Sequence, residues 1–322
     1  MPWIYILVLA IVQGLAELLP VSSSAHVIVA AHFLHVNMSL PDNALLLVLL
    51  HTGTMFAVSA YFWRRWRATF LASWRQVYGV AKLIFVSSLF SGLVFLPVEH
   101  LVIHLLSHGS YHPAIEVLFH KLNWIGPALF IVGLLILYAG LREARQAQES
   151  GGEAASAADG AASAPRRGGS AGGAALAETA VAAPAITHGI TWPMAIWMGI
   201  LQGFAIPFRG FSRSGATISG GLLTGGRREA IESYSFAMVV AITPLAILWE
   251  LRRVIHSAHA AGVAVHWGAV LPQGLLGMVF AFLAGLLALK WLSRWLEQGR
   301  WHWFGIYCLV FAAFVETLYF IH

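Results

Sequence analysis

The stretch Glu17-Leu-Leu-Pro-Val-Ser-Ser-Ser-Ala-His26 follows sixteen residues that carry no charged side chain. Glu17 is the only acidic residue among the first forty-one. A carboxylate is expensive in hydrocarbon, so a glutamate at membrane depth marks a polar cavity by default. The alternatives are a glutamate at the interface or in a structural polar network. The polar neighbours favour a functional site. Gln13 lies four residues earlier, on the same helical face, where it can bond Glu17 or take part in the chemistry. Pro20 ends or kinks a helix. Ser22, Ser23 or Ser24 can then cap a new one, whose free N–H groups make an anion site. His26 shares a helical face with Ser22 and Ser23. A hydrogen-bonded structural histidine is its plainer reading.

Outward from this cluster the chain is a membrane protein. Of its 322 residues, 59% are hydrophobic and 10% charged, against about 25% charged in a soluble domain. The apolar runs are long enough for helices rather than barrel strands. The net charge of +5 falls at segment ends and reads as topology, not as a nucleic-acid footprint. A single cysteine, Cys308, excludes an internal disulfide and a cysteine metal cluster. The N-terminal run lacks a basic flank and is expected to be mature protein rather than a signal peptide.

Seven stretches read as full spans: Asn43–Trp63, Val80–Val98, Trp124–Leu141, Ile190–Ile206, Tyr234–Leu251, Trp267–Leu292 and Trp303–Ile321. Met1–His35 and Pro207–Gly226 are broken by proline, serine and glycine. Irregular backbone at membrane depth must be buried in protein or line a wet cavity, so both read as re-entrant. The expected fold class is all-α: a polytopic helical bundle with inverted-topology repeats and two re-entrant regions. Residues 1–141 form the first half and 189–322 the second. Residues 142–188, rich in Ala, Gly and Ser, are expected to be a flexible linker, since they offer little apolar surface to offset ordering.

Basic residues set the orientation. Arg64, Arg65, Arg67 and Arg75 mark one cytoplasmic loop. Arg142, Arg145, Arg166 and Arg167 mark the linker, and Arg227, Arg228, Arg294 and Arg300 mark two further loops. Alternation puts both termini and the His100–His120 stretch outside. Arg252 and Arg253 then also fall outside, against the rule.

The broken segments resemble each other. Gln13-Gly-Leu-Ala, a proline and Ser22-Ser-Ser-Ala25 match Gln202-Gly-Phe-Ala, a proline and Ser212-Arg-Ser-Gly215. One hairpin would enter from each side, which is the inverted-repeat arrangement. Arg213 offers fixed bidentate donors suited to phosphate oxygens. Gly210, Ser212, Ser214, Gly215 and Thr217 can complete a nest of donors around it. Arg209 is a second cation nearby, or a side chain reaching the interface. One acid, one imidazole, hydroxyls, an arginine and helix starts suit a phosphoryl group. A site within the membrane points to a lipid on its other end. A polyprenyl-phosphate transporter, a lipid-binding scaffold and an intramembrane serine peptidase are the competing classes. A pure carrier needs no nucleophile, and a peptidase does not account for Arg213.

Gln13-Gly-Leu-Ala-Glu17 and the serines and histidine after it resemble the (E/Q)xxxE signature of the undecaprenyl-diphosphate phosphatase family, also called bacitracin-resistance proteins. Gly210-Phe-Ser-Arg-Ser-Gly-Ala-Thr217 resembles that family's PGxSRSxxT motif. The resemblance implies hydrolysis of undecaprenyl diphosphate to undecaprenyl phosphate and inorganic phosphate, recycling the carrier for cell-wall polymers. It implies a plasma-membrane location with the site open to the periplasmic side. By motif position Glu17 is the essential acid, Ser23 the nucleophile, His26 a proton-transfer partner and Arg213 the diphosphate clamp. Gln13, Ser22, Ser24, Gly210, Ser212, Ser214, Gly215 and Thr217 fall to substrate binding. Whether Ser23 attacks or Glu17 activates a water stays open. The family's activity is linked to a divalent cation, Mg²⁺ or Ca²⁺, which Glu17 would hold together with the substrate phosphates. The expected partners are that lipid and the membrane, with a homodimer kept open and no nucleic acid. The chain departs from the family pattern at Gln13, at Arg209 in place of the motif proline, and by one extra residue before Gly210.

Overall fold

A computed structural model describes residues 1–37, 41–106, 122–162, 189–260 and 262–321. Among these residues there is no strand, and ten helices follow in order. Two short helices, α1 (Trp3–Leu18) and α2 (Ser23–Phe33), precede α3 (Pro41–Thr69), α4 (Trp74–Leu106) and α5 (Leu122–Ala162). Two more short helices, α6 (Trp192–Ala205) and α7 (Arg213–Leu223), precede α8 (Arg228–Ala260), α9 (Trp267–Glu297) and α10 (Trp301–Ile321). Two short helices followed by three long ones occur twice.

The six long helices each contain an apolar stretch long enough to cross a membrane. Ile190–Ile206, expected to be a seventh span, is not one. Its helix α6 has 14 residues and rises about 21 Å, short of the ~30 Å hydrocarbon core. It packs on α7 just as α1 packs on α2. The second re-entrant unit therefore begins near Trp192 rather than at Pro207. Hydropathy alone misreads α6 because one face, with Ala195, Met198 and Gly199, is buried by protein, and the index does not tell such a face from one in lipid.

The packing of α6 shows how. Gly199 and Gly203, one turn apart, lie against Ser87 and Ser91 of α4. The Ser87 hydroxyl donates to the Ala195 carbonyl at 2.7 Å and the Ser91 hydroxyl to the Gly199 carbonyl at 2.8 Å. Small residues let the backbones approach, and hydroxyls then bridge the helices. In the first half, α1 lies on α9 in the same way. A Cβ on Gly14 would sit 2.6 Å from the Ala281 carbonyl oxygen, and one on Gly203 2.5 Å from that of Ser91. Gly14 and Gly203 stand 189 residues apart, the offset of the paired glutamines Gln13 and Gln202.

At one end of the bundle Arg228 pairs with Glu143 and donates to the Glu297 carbonyl, while Arg142 donates to the Leu223 carbonyl. These bonds join the middle of α5 to the ends of α7, α8 and α9. Helix α5 continues past its span to Ala162, so residues 142–162 are helical where irregular chain is expected. Extending an existing helix needs no new nucleus, and its Ala, Glu, Gln and Arg residues favour helix. The remaining linker residues, 163–188, and most of the His100–His120 stretch lie outside the described residues.

Candidate active site

Helix α1 carries Gln13 and Glu17 one turn apart, and the Gln13 Nε2 donates to Glu17 Oε2 at 3.0 Å. The chain turns at Leu19–Ser22. Ser22 adopts φ +68°, a left-handed conformation rare for a residue with a side chain. Ser23 then opens α2, and its hydroxyl donates to Glu17 Oε2 at 2.5 Å. Arg213 opens α7 in the other half, and its Nη2 donates to Glu17 Oε1 at 3.1 Å. One carboxylate thus joins the first residues of two helices 190 positions apart. Two neutral donors and one cation bond the carboxylate and compensate its charge.

The two turns are clasped to each other. Gly210 has φ +100°, which only glycine adopts freely, and its N–H donates to Ser24 Oγ at 3.3 Å. The Ser22 and Ser24 hydroxyls lie 3.3 Å apart. Ser214 Oγ donates to the Leu19 carbonyl at 3.4 Å, and the Cys308 thiol donates to the Pro20 carbonyl at 3.3 Å. Ser212 caps α7 by accepting from the Gly215 N–H at 3.2 Å. Ser22, at the cap position of α2, makes no such side-chain bond. Ser22 thus leaves the first N–H groups of α2 without a side-chain cap.

The expected residues divide into three sets. Gln13, Glu17, Ser23 and Arg213 form one bonded cluster. Ser22, Ser24, Gly210, Ser212, Ser214 and Gly215 shape the turns beside it. Thr217 is buried, and its hydroxyl bonds the Arg213 carbonyl at 2.9 Å and the Ser235 hydroxyl at 2.6 Å; it fastens α7 to α8. His26 turns to α10. Its Nδ1 bonds the Ser22 carbonyl at 2.8 Å and its Nε2 the Tyr307 hydroxyl at 2.7 Å. The ring stacks on Phe311 with centroids 4.0 Å apart.

Sequence reasoning misses His51 and Tyr307. His51 Nε2 lies 3.6 Å from Glu17 Oε2, while Nδ1 donates to the Leu47 carbonyl at 2.8 Å. Its side chain is 38% exposed against 14% for Glu17, so His51 is the more accessible of the two. Neither residue belongs to a local pattern. The one available signal is a lone histidine inside an apolar span, which marks a functional candidate.

A divalent cation has few protein ligands here. Among the described residues no group of three His, Cys, Asp or Glu side chains could hold a metal ion. Glu17 is the sole carboxylate of the cluster, and both its oxygens accept hydrogen bonds. These residues do not fit a metal site built from protein alone.

The family model for bacitracin resistance protein BacA matches residues 6–314, which include both turns and every residue of the cluster. The chain belongs to the BacA family. It is 40% identical to undecaprenyl-diphosphatase 2 of Acinetobacter baylyi over 320 residues, covering 99% of this chain and 98% of that protein. It is 30% identical to an undecaprenyl-diphosphatase of Korarchaeum cryptofilum over 314 residues, 97% of each chain. A third relative, the undecaprenyl-diphosphatase of Rhodopirellula baltica, is 28% identical over 98% of this chain and 97% of its own length. The BacA match runs through both halves of the bundle, so the clasped turns belong to the part shared with the family.

Proposed function

We propose that this chain hydrolyses undecaprenyl diphosphate to undecaprenyl phosphate and inorganic phosphate. The observation that carries this reading is the Glu17 carboxylate held between Ser23 of one hairpin and Arg213 of the other. The relatives' names point to the same substrate. A carrier with the same fold would need the cation but not a hydroxyl aimed at a base. In this reading the Ser23 oxygen attacks the terminal phosphorus and its proton passes to Glu17. The bond from that phosphorus to the bridging oxygen breaks, and undecaprenyl phosphate leaves with the electron pair. Water then releases phosphate from Ser23 as the Glu17 carboxyl returns a proton to the serine oxygen. Arg213 and the open N–H groups of α2 stabilise charge on the phosphoryl oxygens. Proteoliposomes loaded with the lipid test the reading. Hydrolysis yields equal amounts of inorganic phosphate and lipid monophosphate, whereas a carrier redistributes the diphosphate between leaflets and releases none.

The site opens to the outer face of the plasma membrane, with both termini on that side. Six spans and two hairpins that return to their own side are consistent with this orientation, as is the arginine-rich opposite end. A divalent cation, Mg²⁺ or Ca²⁺, would be held mainly by the substrate phosphates, with Glu17 as its protein neighbour, and would offset their charge. A chelator is then expected to abolish turnover without lowering the melting temperature, because no protein cage depends on the metal. Full activity in excess chelator removes the cation from the account.

The stretch between the halves is a tolerated insertion. Deleting Gly151–Pro184 is expected to leave the melting temperature within about 3 °C and turnover within about twofold, since surface connections tolerate length changes. Loss of folded protein from the membrane would show that the segment packs.

A further inference from the structure

The His26 imidazole has no nitrogen left for Ser23. A carbonyl oxygen only accepts, so Nδ1, 2.8 Å from the Ser22 oxygen, carries a proton. In the neutral ring Nε2 is then a lone pair, and the Tyr307 hydroxyl at 2.7 Å donates to it. When the ring is charged the same hydroxyl rotates and accepts. Phe311 lies parallel to the ring at an interplanar angle of 11°. Three contacts, two of them from α10, fix the imidazole in plane and direction. Ser23 meanwhile donates to Glu17.

We propose that Tyr307 is a positioning residue for His26, holding its Nε2 edge against α10 so that Glu17 alone receives the Ser23 proton. This rests on the hydrolytic reading above and refines it. The site then has two proton-handling units: Glu17 with Ser23, and His26 with Tyr307 on the flank of α2 that faces α10. Tyr307 is 45% exposed, so the ring of Tyr307 is not itself locked into the core.

The test compares wild type, Tyr307→Phe, His26→Ala and the double variant, purified in detergent, for phosphate release from undecaprenyl diphosphate. Tyr307→Phe keeps the ring and removes one hydrogen bond. Its kcat is expected to fall about tenfold, the scale of one such bond, with KM within about twofold. In the His26→Ala background the same change is expected to have no further effect. A Tyr307→Phe rate equal to wild type, or another tenfold loss in the double variant, overturns the assignment. The ¹⁵N spectrum of His26 gives a readout without substrate: Nε2 moves toward the position of an unbonded imine nitrogen in Tyr307→Phe, and an unchanged signal overturns the assignment as well. If wild type itself releases no phosphate, the reaction assigned to Tyr307 is gone and the assignment falls with it. The ¹⁵N shift then still reports the contact, so failure of the hydrolytic reading and failure of the contact are told apart.

Discussion

Glu17→Gln lowers kcat for phosphate release by at least about 100-fold, because an amide cannot take a proton. The substitution keeps the shape of the side chain and one oxygen. That oxygen can still accept from Ser23 or from Arg213 but not serve both as the two carboxylate oxygens do. The loss is therefore expected in kcat, with KM unchanged or lower. Glu17 is a negative charge facing a polyanionic substrate, and its removal does not hinder binding. Steady-state kinetics on folded protein in detergent measure the split. Turnover within about threefold of wild type would leave the short Ser23–Glu17 bond as a structural contact.

Arg213→Ala is expected to act on both constants. The guanidinium is the charged donor that the second hairpin brings to the cluster. Its removal takes away the group placed to bind the diphosphate and to stabilise charge as phosphorus is attacked. A loss of at least about 100-fold in kcat/KM follows from removing one such donor, with KM rising as well. Arg213→Lys restores charge but not the two-pronged geometry, so only partial recovery is expected. Arg213 also compensates Glu17, and a lower melting temperature accompanies the alanine variant. Normal kcat/KM in a folded Arg213→Ala protein would transfer the diphosphate to other donors.

The parts of this site that were legible in the sequence are those whose chemistry is local. Glu17, Pro20 and Ser23 lie within seven residues, and their incompatibility with hydrocarbon is visible without a structure. Gly210 and Arg213 were legible for the same reason, and an offset of 189 at the glutamines and 190 at the serines related the two segments. His51 and Tyr307 were not, because each is a single polar side chain in a long apolar helix. Only the packing of α3 on α1, and of α10 on α2, gives them partners. Thr217 looked like a ligand because it follows Arg213 by one turn, yet that spacing equally delivers its hydroxyl to the Arg213 carbonyl. Span counting went astray at Ile190–Ile206, where hydropathy does not distinguish burial against Ser87 and Ser91 from burial in lipid. The helical continuation to Ala162 is not visible in composition, which reports the lack of a core, while propagation from a formed helix needs none.

The most direct measurement follows a single turnover of undecaprenyl diphosphate labelled in its terminal phosphate, with wild type beside Glu17→Gln in detergent. The label is expected to leave as inorganic phosphate with wild type and to stay on the lipid with the variant. Label that remains on the lipid with folded wild type, or that leaves equally fast with both, would contradict a diphosphatase centred on Glu17.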